Sequence, residues 1–305
     1  MLSELVTPKF LALYLFIISA LYIHYRGREK LKFSRQLTDH STIMAPYNAL
    51  MYLFSSVPTK PVLDVNLFPE LSILRDNWEI IRKEAIQLSQ EGFIAESNGY
   101  NDLAFNSFFR RGWKRFYLKW YREYHPSAEK YCPKTTELLR SIPSINAAMF
   151  TLLPAHSDLV RHRDPFAGSL RYHLGLITPN SEDCHIYVDG TPYAWKDGEE
   201  IMFDETYIHK AENNTDVDRL ILFCDVERPL KFKFLSIMNK GFGKFIGSAT
   251  ATKNMGNEKV GFMNKAFSYL YYVRVGAKKI KAYNQKLYYL LKYSLMGLLL
   301  YWIFV

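Results

Sequence analysis

The chain has 305 residues, enough for one large domain with additional anchoring segments. Its three cysteines are too few and too scattered for a disulfide framework, and the lack of a CxxC motif argues against a zinc ribbon. The net charge of +9 is uneven: residues 1–35 hold six basic residues against two acids, residues 228–305 hold fourteen against one, and the stretch between them is acidic. Basic flanks fit anionic lipid near the chain ends and argue against a nucleic-acid groove, so no nucleic-acid partner is expected.

The first predicted element is a membrane-spanning helix. Residues 10–23 are nearly unbroken apolar sequence, close to the roughly 20 residues that a span needs. The basic residues follow this run instead of preceding it: Arg26, Arg28, Lys30, Lys32 and Arg35. This order disfavours a cleaved signal peptide, and the positive-inside rule places residue 26 onward in the cytoplasm. We therefore predict an N-terminal transmembrane anchor over residues 1–25, with an interfacial or buried helix as the alternative.

A linker and two helices are predicted next. Residues 26–68 lack clear periodicity and contain Pro46, Pro58 and Pro61, so we predict a membrane-proximal linker there. A folded domain is predicted over residues 69–230. It begins with a helix over residues 69–92, where apolar residues recur at helical spacing, and contains a second, short helix over residues 134–141.

The region from about residue 144 to 227 has the pattern of short strands. Its apolar or alternating runs are INAAMFTLL, LVRH, SLRYHLGLI, CHIYV, EEIMF and RLILFCDV. Turn signals such as Asp189-Gly190 and Asp197-Gly198 separate them, and no helix of useful length does. This pattern argues against a parallel doubly wound sheet and predicts a mainly β core, a barrel or two-sheet jelly roll, with flanking helices.

The C-terminal part returns to basic sequence. Residues 231–286 are predicted to be a basic amphipathic membrane-surface segment with a helix over residues 262–286, for which an ordinary solvated helix end is the alternative. Residues 287–305 carry one charge, Lys292, and are predicted to be a second transmembrane anchor. The lysines before this run agree with the N-terminal cluster, so we expect both termini outside and the domain between them in the cytoplasm.

The strongest chemical signal is a pair of residues two positions apart, His162 and Asp164, which share one side of a strand. His209 from a second strand would complete a two-histidine, one-carboxylate face, which is typical of non-heme Fe(II) oxygenases. Arg219, ten residues later, can hold a carboxylate in a bidentate pair. The alternatives are a surface loop for His162, a turn cap before proline for Asp164, and a core or loop histidine for His209.

A second polar pair lies on the run from Leu170 to Leu176. Alternation puts Arg171 and His173 on one face of this predicted strand and the apolar residues on the other. Such side chains are costly inside a core unless they are paired, so they are candidates to line an anionic site. A solvent-facing edge is the alternative.

At these residues the sequence resembles the aspartyl/asparaginyl β-hydroxylase family. The matching stretches are RHRDP, LRYHLGL, FDETYIH and DRLILFCDVERP. Within this family it is similar to the bacterial membrane enzymes that 2-hydroxylate a fatty acyl chain of lipid A. That similarity extends to HYRGR, FSRQLTDHSTIMAP, FNSFF, GWKRFYLKWY and both hydrophobic ends.

The resemblance implies a double-stranded β-helix with Fe(II) as cofactor, 2-oxoglutarate as co-substrate and O2. It implies a substrate acyl chain of lipid A or a lipopolysaccharide precursor at the bacterial inner membrane. Arg219 is expected on the far carboxylate of 2-oxoglutarate, with Arg171 and His173 near it. Thr151 and Trp113 are expected to line the pocket. Animal relatives have glycine at the position of Asp164, so the family does not always need that carboxylate.

Two other functions stay open. A peptidyl aspartyl/asparaginyl β-hydroxylase could use the same scaffold, although two spans, a cytoplasmic domain and a basic tail argue against it. A non-catalytic membrane lipid-binding protein is the alternative of a different class. The complete set of candidate metal and carboxylate ligands argues against that second alternative.

Overall fold

Two antiparallel sheets form the centre of the protein. A computed structural model describes residues 7–97, 102–121, 123–256 and 258–304, so residues 1–6 and 305 of the predicted anchors lie outside the described residues. The strands are β1 (Val62–Leu63), β2 (Lys114–Trp120), β3 (Glu123–Tyr124), β4 (Ile145–Leu153), β5 (Ser157–His162), β6 (Ser169–Ile177), β7 (Cys184–Val188), β8 (Thr191–Ala194), β9 (Glu200–Phe203), β10 (His209–Asn213) and β11 (Arg219–Glu227). The larger sheet has the order β1-β9-β6-β11-β4-β2-β3, and the smaller has the order β5-β10-β7-β8.

Helices flank these sheets along the whole chain. They are α1 (Pro8–Tyr25), α2 (Phe33–Gln36), α3 (His40–Ile43), α4 (Ala45–Leu53), α5 (Ser72–Asp76), α6 (Trp78–Gln90), α7 (Asn106–Phe109), α8 (Pro126–Tyr131), α9 (Pro133–Arg140), α10 (Lys233–Thr250), α11 (Phe262–Tyr283) and α12 (Gln285–Phe304). The predicted mainly β core with flanking helices is confirmed, its strands pair antiparallel, and each of the six apolar or alternating runs overlaps a strand.

The larger sheet separates two apolar cores. Because strand side chains alternate, Leu220 and Leu222 of β11 enter the core beneath α5, α6 and α9. Ile221 and Phe223 of the same strand enter the other core, which includes Ile186 of the smaller sheet. Arg219 lies two positions before Ile221 and four before Phe223, so its side chain is on the same face of β11. The inner face between the sheets is therefore the side on which the candidate site residues lie.

Two predicted segments differ in the structure. Residues 26–68, predicted as a linker, contain α2, α3 and α4. Apolar spacing did not reveal these helices because they are short and bury polar side chains such as Asn48, which bonds the backbone near residue 165. The helix predicted over residues 69–92 is divided at Asn77 into α5 and α6. The domain boundaries themselves stay a prediction.

One helix near the N-terminus has the length and composition of a membrane span. Among the described residues, α1 alone reaches that apolarity, and most of its surface is exposed. The 20-residue helix α12 is exposed but less apolar, because tyrosines and Lys292 interrupt it. The structure is thus compatible with membrane association through α1, whereas the second span stays a prediction.

The chain that leaves α1 is fastened to the β core. The Asp189 carboxylate accepts backbone hydrogen bonds from Arg28 at 2.8 and 2.9 Å and from Glu29 at 2.9 Å. Gly27 has φ +87°, and a Cβ there would lie 2.6 Å from Asp189 Oδ1 and 2.9 Å from the Tyr207 ring. Both the conformation and the close approach require glycine.

Gly27→Ala is therefore expected to lower the free energy of unfolding by about 1–3 kcal/mol, because alanine is strained at this φ and displaces Asp189. Urea unfolding of the detergent-solubilised full chain measures the loss. Gly276→Ala is the matched control, since nothing lies within 4 Å of its Cβ position on α11. Equal stability of the two variants would show that the contacts between residues 27–29 and Asp189 do not stabilise the fold.

Candidate active site

The candidate metal ligands meet where the smaller sheet begins. His162 is the last residue of β5 and lies opposite His209, the first residue of β10, in the strand register. Asp164 follows two positions later, and its backbone N–H donates to the Glu205 carbonyl at 2.9 Å. One candidate ligand atom from each of these three side chains lies within 4.8 Å of the others. The sequence-predicted set is thus brought together, close enough to share one ion.

Hydrogen bonds orient both imidazoles for this role. His162 Nδ1 lies 2.7 Å from the Val160 carbonyl, and His209 Nδ1 lies 2.9 Å from the Tyr207 carbonyl. A carbonyl only accepts, so each Nδ1 carries the proton and each Nε2 keeps a free lone pair. Burial lowers the pKa of His162 and lowers the pKa of His209 to about 3. Both rings are neutral at pH 7, which is the form that binds metal.

Arg171 holds a cluster of carboxylates beside these ligands. Its guanidinium lies 3.0 Å from Asp164 Oδ2 and 2.8 Å from Asp225 Oδ1, and it also contacts Glu205. Burial acts to raise the pKa of Asp164, but the adjacent Arg171 guanidinium outweighs it and lowers that pKa. Burial and the neighbouring Asp164 carboxylate raise the pKa of Asp225, as expected where three acidic groups share one guanidinium. A divalent cation bound beside them would favour their ionised forms.

A buried cation lies at the far end of the same cavity. Arg219 is 2% exposed, its guanidinium carbon lies 4.4 Å from the Trp195 ring centroid, and its Nε and Nη2 have no hydrogen-bond partner among the described residues. Burial lowers its pKa to about 10. A buried guanidinium without a counter-ion is costly, so the site favours an anionic ligand.

Other side chains that line the cavity beside Arg219 also carry hydrogen-bond donors. Trp195 Nε1–H donates to His173 Nδ1 at 3.4 Å. Burial lowers the pKa of His173 well below its ordinary value, so the ring is neutral and its proton is on Nε2. That Nε2 and Thr151 Oγ1 have no partner among the described residues. A wall of unsatisfied donors matches a ligand rich in acceptor oxygens, such as a dicarboxylate.

Aromatic side chains enclose the cavity, which has a volume of about 40 Å³. Trp113 is buried and packs against Phe105 with ring centroids 4.9 Å apart. The Phe108 and His162 rings contact edge to face, with their centroids 4.9 Å apart. These aromatic groups supply apolar surface to the cavity that also contains the two histidines and Arg219.

Seven of the eight predicted site residues line this cavity. The eighth, Asp164, lies beside it, 3.8 Å from His162 Nε2 and 3.0 Å from Arg171 Nη2. The inner position of Arg171 and His173 excludes the solvent-edge alternative. Arg171 was expected to face the co-substrate, but its guanidinium pairs with carboxylates of the protein itself. Sequence reasoning missed Phe108 and Trp195, since an aromatic residue near a polar site has no distinguishing spacing.

Fold and site together define an antiparallel two-sheet protein with a two-histidine, one-carboxylate cluster. A sequence profile for aspartyl/asparaginyl β-hydroxylases matches residues 75–229. The chain belongs to the aspartyl/asparaginyl β-hydroxylase family, which confirms the resemblance.

The chain is similar to two curated relatives. It is 33% identical over 193 residues to the ornithine lipid ester-linked acyl 2-hydroxylase of Rhizobium tropici, a match covering 62% of this chain and 68% of that protein. It is 26% identical over 164 residues to the Homo sapiens aspartyl/asparaginyl β-hydroxylase. That match covers 51% of this chain and 21% of the human protein, so the chain spans about a fifth of that relative's length.

Among solved structures the chain is similar to a Pseudomonas putida prolyl-4-hydroxylase. The sequence identity is 16% and the TM-score is 0.34, covering 50% of this chain and 87% of that one. This likeness is too low to support a conclusion about function. The fold assignment rests on the strand pairing.

Proposed function

We propose that the protein is an Fe(II)- and 2-oxoglutarate-dependent dioxygenase that 2-hydroxylates a fatty acyl chain of lipid A, or of a lipopolysaccharide precursor, at the cytoplasmic face of the bacterial inner membrane. One observation carries the enzymatic part. The cavity joins His162, Asp164 and His209 to Arg219, whose Nε and Nη2 have no hydrogen-bond partner in the described part of the chain. A metal and a dicarboxylate would satisfy both ends within a double-stranded β-helix.

The chain's own residues would act by holding and orienting. His162, Asp164 and His209 would hold the iron, with both rings fixed through their Nδ1–H bonds. Arg219 would pair with the distal carboxylate of 2-oxoglutarate, while Thr151 and His173 donate to the bound co-substrate. Bound Fe(II), 2-oxoglutarate and O2 supply the oxidation that exchanges a C–H hydrogen for hydroxyl, with succinate and CO2 as co-products.

Three observations support a lipid substrate. The Rhizobium tropici relative is named for acting on an ester-linked acyl chain of a lipid. Helix α1 can anchor the chain in a bilayer, and the segment 231–286 is basic. We extend these to two spans, with α12 as the second, both termini outside and the catalytic domain in the cytoplasm.

Mass spectrometry of lipids from cells with and without the protein tests the substrate. We expect lipid A to gain the mass of one oxygen atom only when the protein is present, with the hydroxyl at C2 of one acyl chain. If ornithine lipid gains this oxygen and lipid A does not, the protein is still an acyl hydroxylase, but its substrate is ornithine lipid. Hydroxylated aspartyl or asparaginyl residues without a modified lipid would favour the peptidyl β-hydroxylase.

Arg219→Met is expected to raise the KM for 2-oxoglutarate by roughly 100-fold, because a buried charge-assisted carboxylate pair contributes about 2–3 kcal/mol. Initial rates of succinate formation at varied 2-oxoglutarate measure it. Arg161→Met is the control, since Arg161 is exposed and pairs with Glu29 at 2.6 Å. An unchanged KM in Arg219→Met would remove this residue from the co-substrate site.

The alternative of a different class is a non-catalytic membrane lipid-binding protein. Stoichiometric iron in protein purified without oxygen, together with substrate-dependent succinate, would exclude it. Protein without affinity for Fe(II) would favour it over both hydroxylases.

A further inference from the structure

Helix α10 carries apolar side chains on the side that faces away from the protein. Its inward side is locked: Asn239 donates to the Gly168 carbonyl at 2.9 Å, and a Cβ on Gly247 would meet Tyr121 at 2.1 Å. On the opposite side Phe234, Ile237 and Phe245 are 66%, 62% and 58% exposed. Their spacing of three and eight residues places them on one stripe, together with the exposed Met238.

This stripe is continuous with exposed apolar residues beside the N-terminal anchor. The Phe54 ring at the end of α4 lies 5.4 Å from the Phe232 ring before α10. On the inward side of α10, Tyr47 of α4 donates to Asn239 at 2.6 Å, so the two helices are neighbours. Leu53 of α4 and Ile43 of α3 are 68% and 76% exposed. Helix α4 packs in turn against α1, where the Tyr22 and Tyr52 rings lie 6.1 Å apart.

The charge around the stripe identifies its occupant. Lys233, Lys240 and Lys244 border it along one side, and Lys240 also pairs with Glu227 at 3.3 Å. No acidic residue occurs between Arg228 and Asn257. An apolar stripe edged by lysines and adjoining a spanning helix matches the interface of an anionic bilayer.

We infer that Ile43, Leu53, Phe234, Ile237, Met238 and Phe245 form a platform that docks the catalytic domain onto an anionic phospholipid surface. This inference rests on the proposed membrane-bound function and extends it, because α3, α4 and α10 belong to the folded body. Docking also fixes the site relative to the lipid. Arg163, between His162 and Asp164, donates to the Ile23 carbonyl of α1 at 2.8 Å, so the metal loop is joined to the anchor.

Nitroxide labels on the full chain in vesicles of phosphatidylcholine and phosphatidylglycerol test the platform. Cys132, Cys184 and Cys224 are buried, so single cysteines introduced by Ile237→Cys or Phe245→Cys would take the label selectively. We expect both labels to collide more with oxygen than with a polar nickel reagent. Ile17→Cys on α1 serves as the embedded control, and Ile80→Cys, an exposed apolar position on α6, as the aqueous control.

The outcomes separate the platform from the proposed function. Water-exposed labels at positions 237 and 245, with an embedded label at 17, would overturn the platform and leave the anchor intact. If both labels are shielded from both reagents and a dipolar distance between labels on two chains is measurable, this face is an interface with a second copy. That result would also overturn the platform. Lys233→Gln with Lys244→Gln should move both labels outward in the anionic vesicles. Iron binding, measured on the same samples, reports independently on the site.

Discussion

His209→Ala is expected to lower both iron binding and succinate formation by about 100-fold or more. Loss of a group that merely orients a ligand already costs roughly 10- to 100-fold, and here the ligand itself is removed. The hydrogen bond from His209 Nδ1 to the Tyr207 carbonyl orients the ring, and it is lost together with the metal-binding Nε2 when the ring is removed. His162→Ala should behave in the same way.

Calorimetric titration of the metal-free chain with Fe(II) under nitrogen, followed by succinate assays, measures both losses. His156→Ala is the matched control, because His156 is exposed and pairs with Asp216 away from the site. Retained succinate formation in both His162→Ala and His209→Ala would refute the metal assignment. Circular dichroism distinguishes ligand loss from misfolding.

Asp164→Gly should have a smaller effect than either histidine variant. Arg171 holds the Asp164 carboxylate at 3.0 Å, so removal of that carboxylate frees the guanidinium for Glu205 and Asp225. If Asp164→Gly loses as much iron affinity as His209→Ala, the carboxylate is a full ligand. If it keeps most of the affinity, two histidines suffice here.

Apolar or alternating runs predict six of the strands, whereas a strand at His209 is expected only from the metal-ligand pattern and not from the residues around it. Strand β10 has the sequence HKAEN, whose residues have low strand propensity. It is a strand because it pairs on both sides, with β5 and β7. His162 and His209 could be proposed from spacing, but their direct pairing depends on that register, which no local pattern encodes.

The contacts of the N-terminal segment show the same limit. By its position after the apolar run, Arg26 belongs to the basic cluster that predicts a cytoplasmic location for residue 26 onward. In the structure it is buried, its guanidinium lies 2.6 Å from Asp204, and the rings of Tyr52 and Tyr207 stack on it at 3.9 and 3.8 Å. Arg26 and Asp204 are 178 positions apart, so only tertiary packing brings them together. The orientation argument therefore rests on the basic residues that follow Arg26.

The ion-pair cluster around Asp204 leads to the second large expected effect. Arg26 and Arg228 lie 2.6 and 2.8 Å from the Asp204 carboxylate, which is fully buried. Burial acts to raise the pKa of Asp204, but the two guanidinium groups outweigh it and hold that pKa well below its usual range. Asp204→Asn would leave two buried cations without their shared partner. We expect it to lower the free energy of unfolding by about 3–5 kcal/mol.

Urea unfolding of the full chain in detergent measures this loss, with Glu137→Gln, whose pair with Lys134 is exposed, as a control that should change little. The pH dependence separates charge from packing. Because folding lowers the pKa of Asp204, its contribution is present above the unfolded pKa of about 4 and is lost as the pH falls below it. The Asn variant should therefore lack part of the acid-induced loss seen in the parent. Parallel pH profiles for the two proteins would show that the cluster acts through packing alone, and that the anchor is joined to the β core without an electrostatic contribution from Asp204.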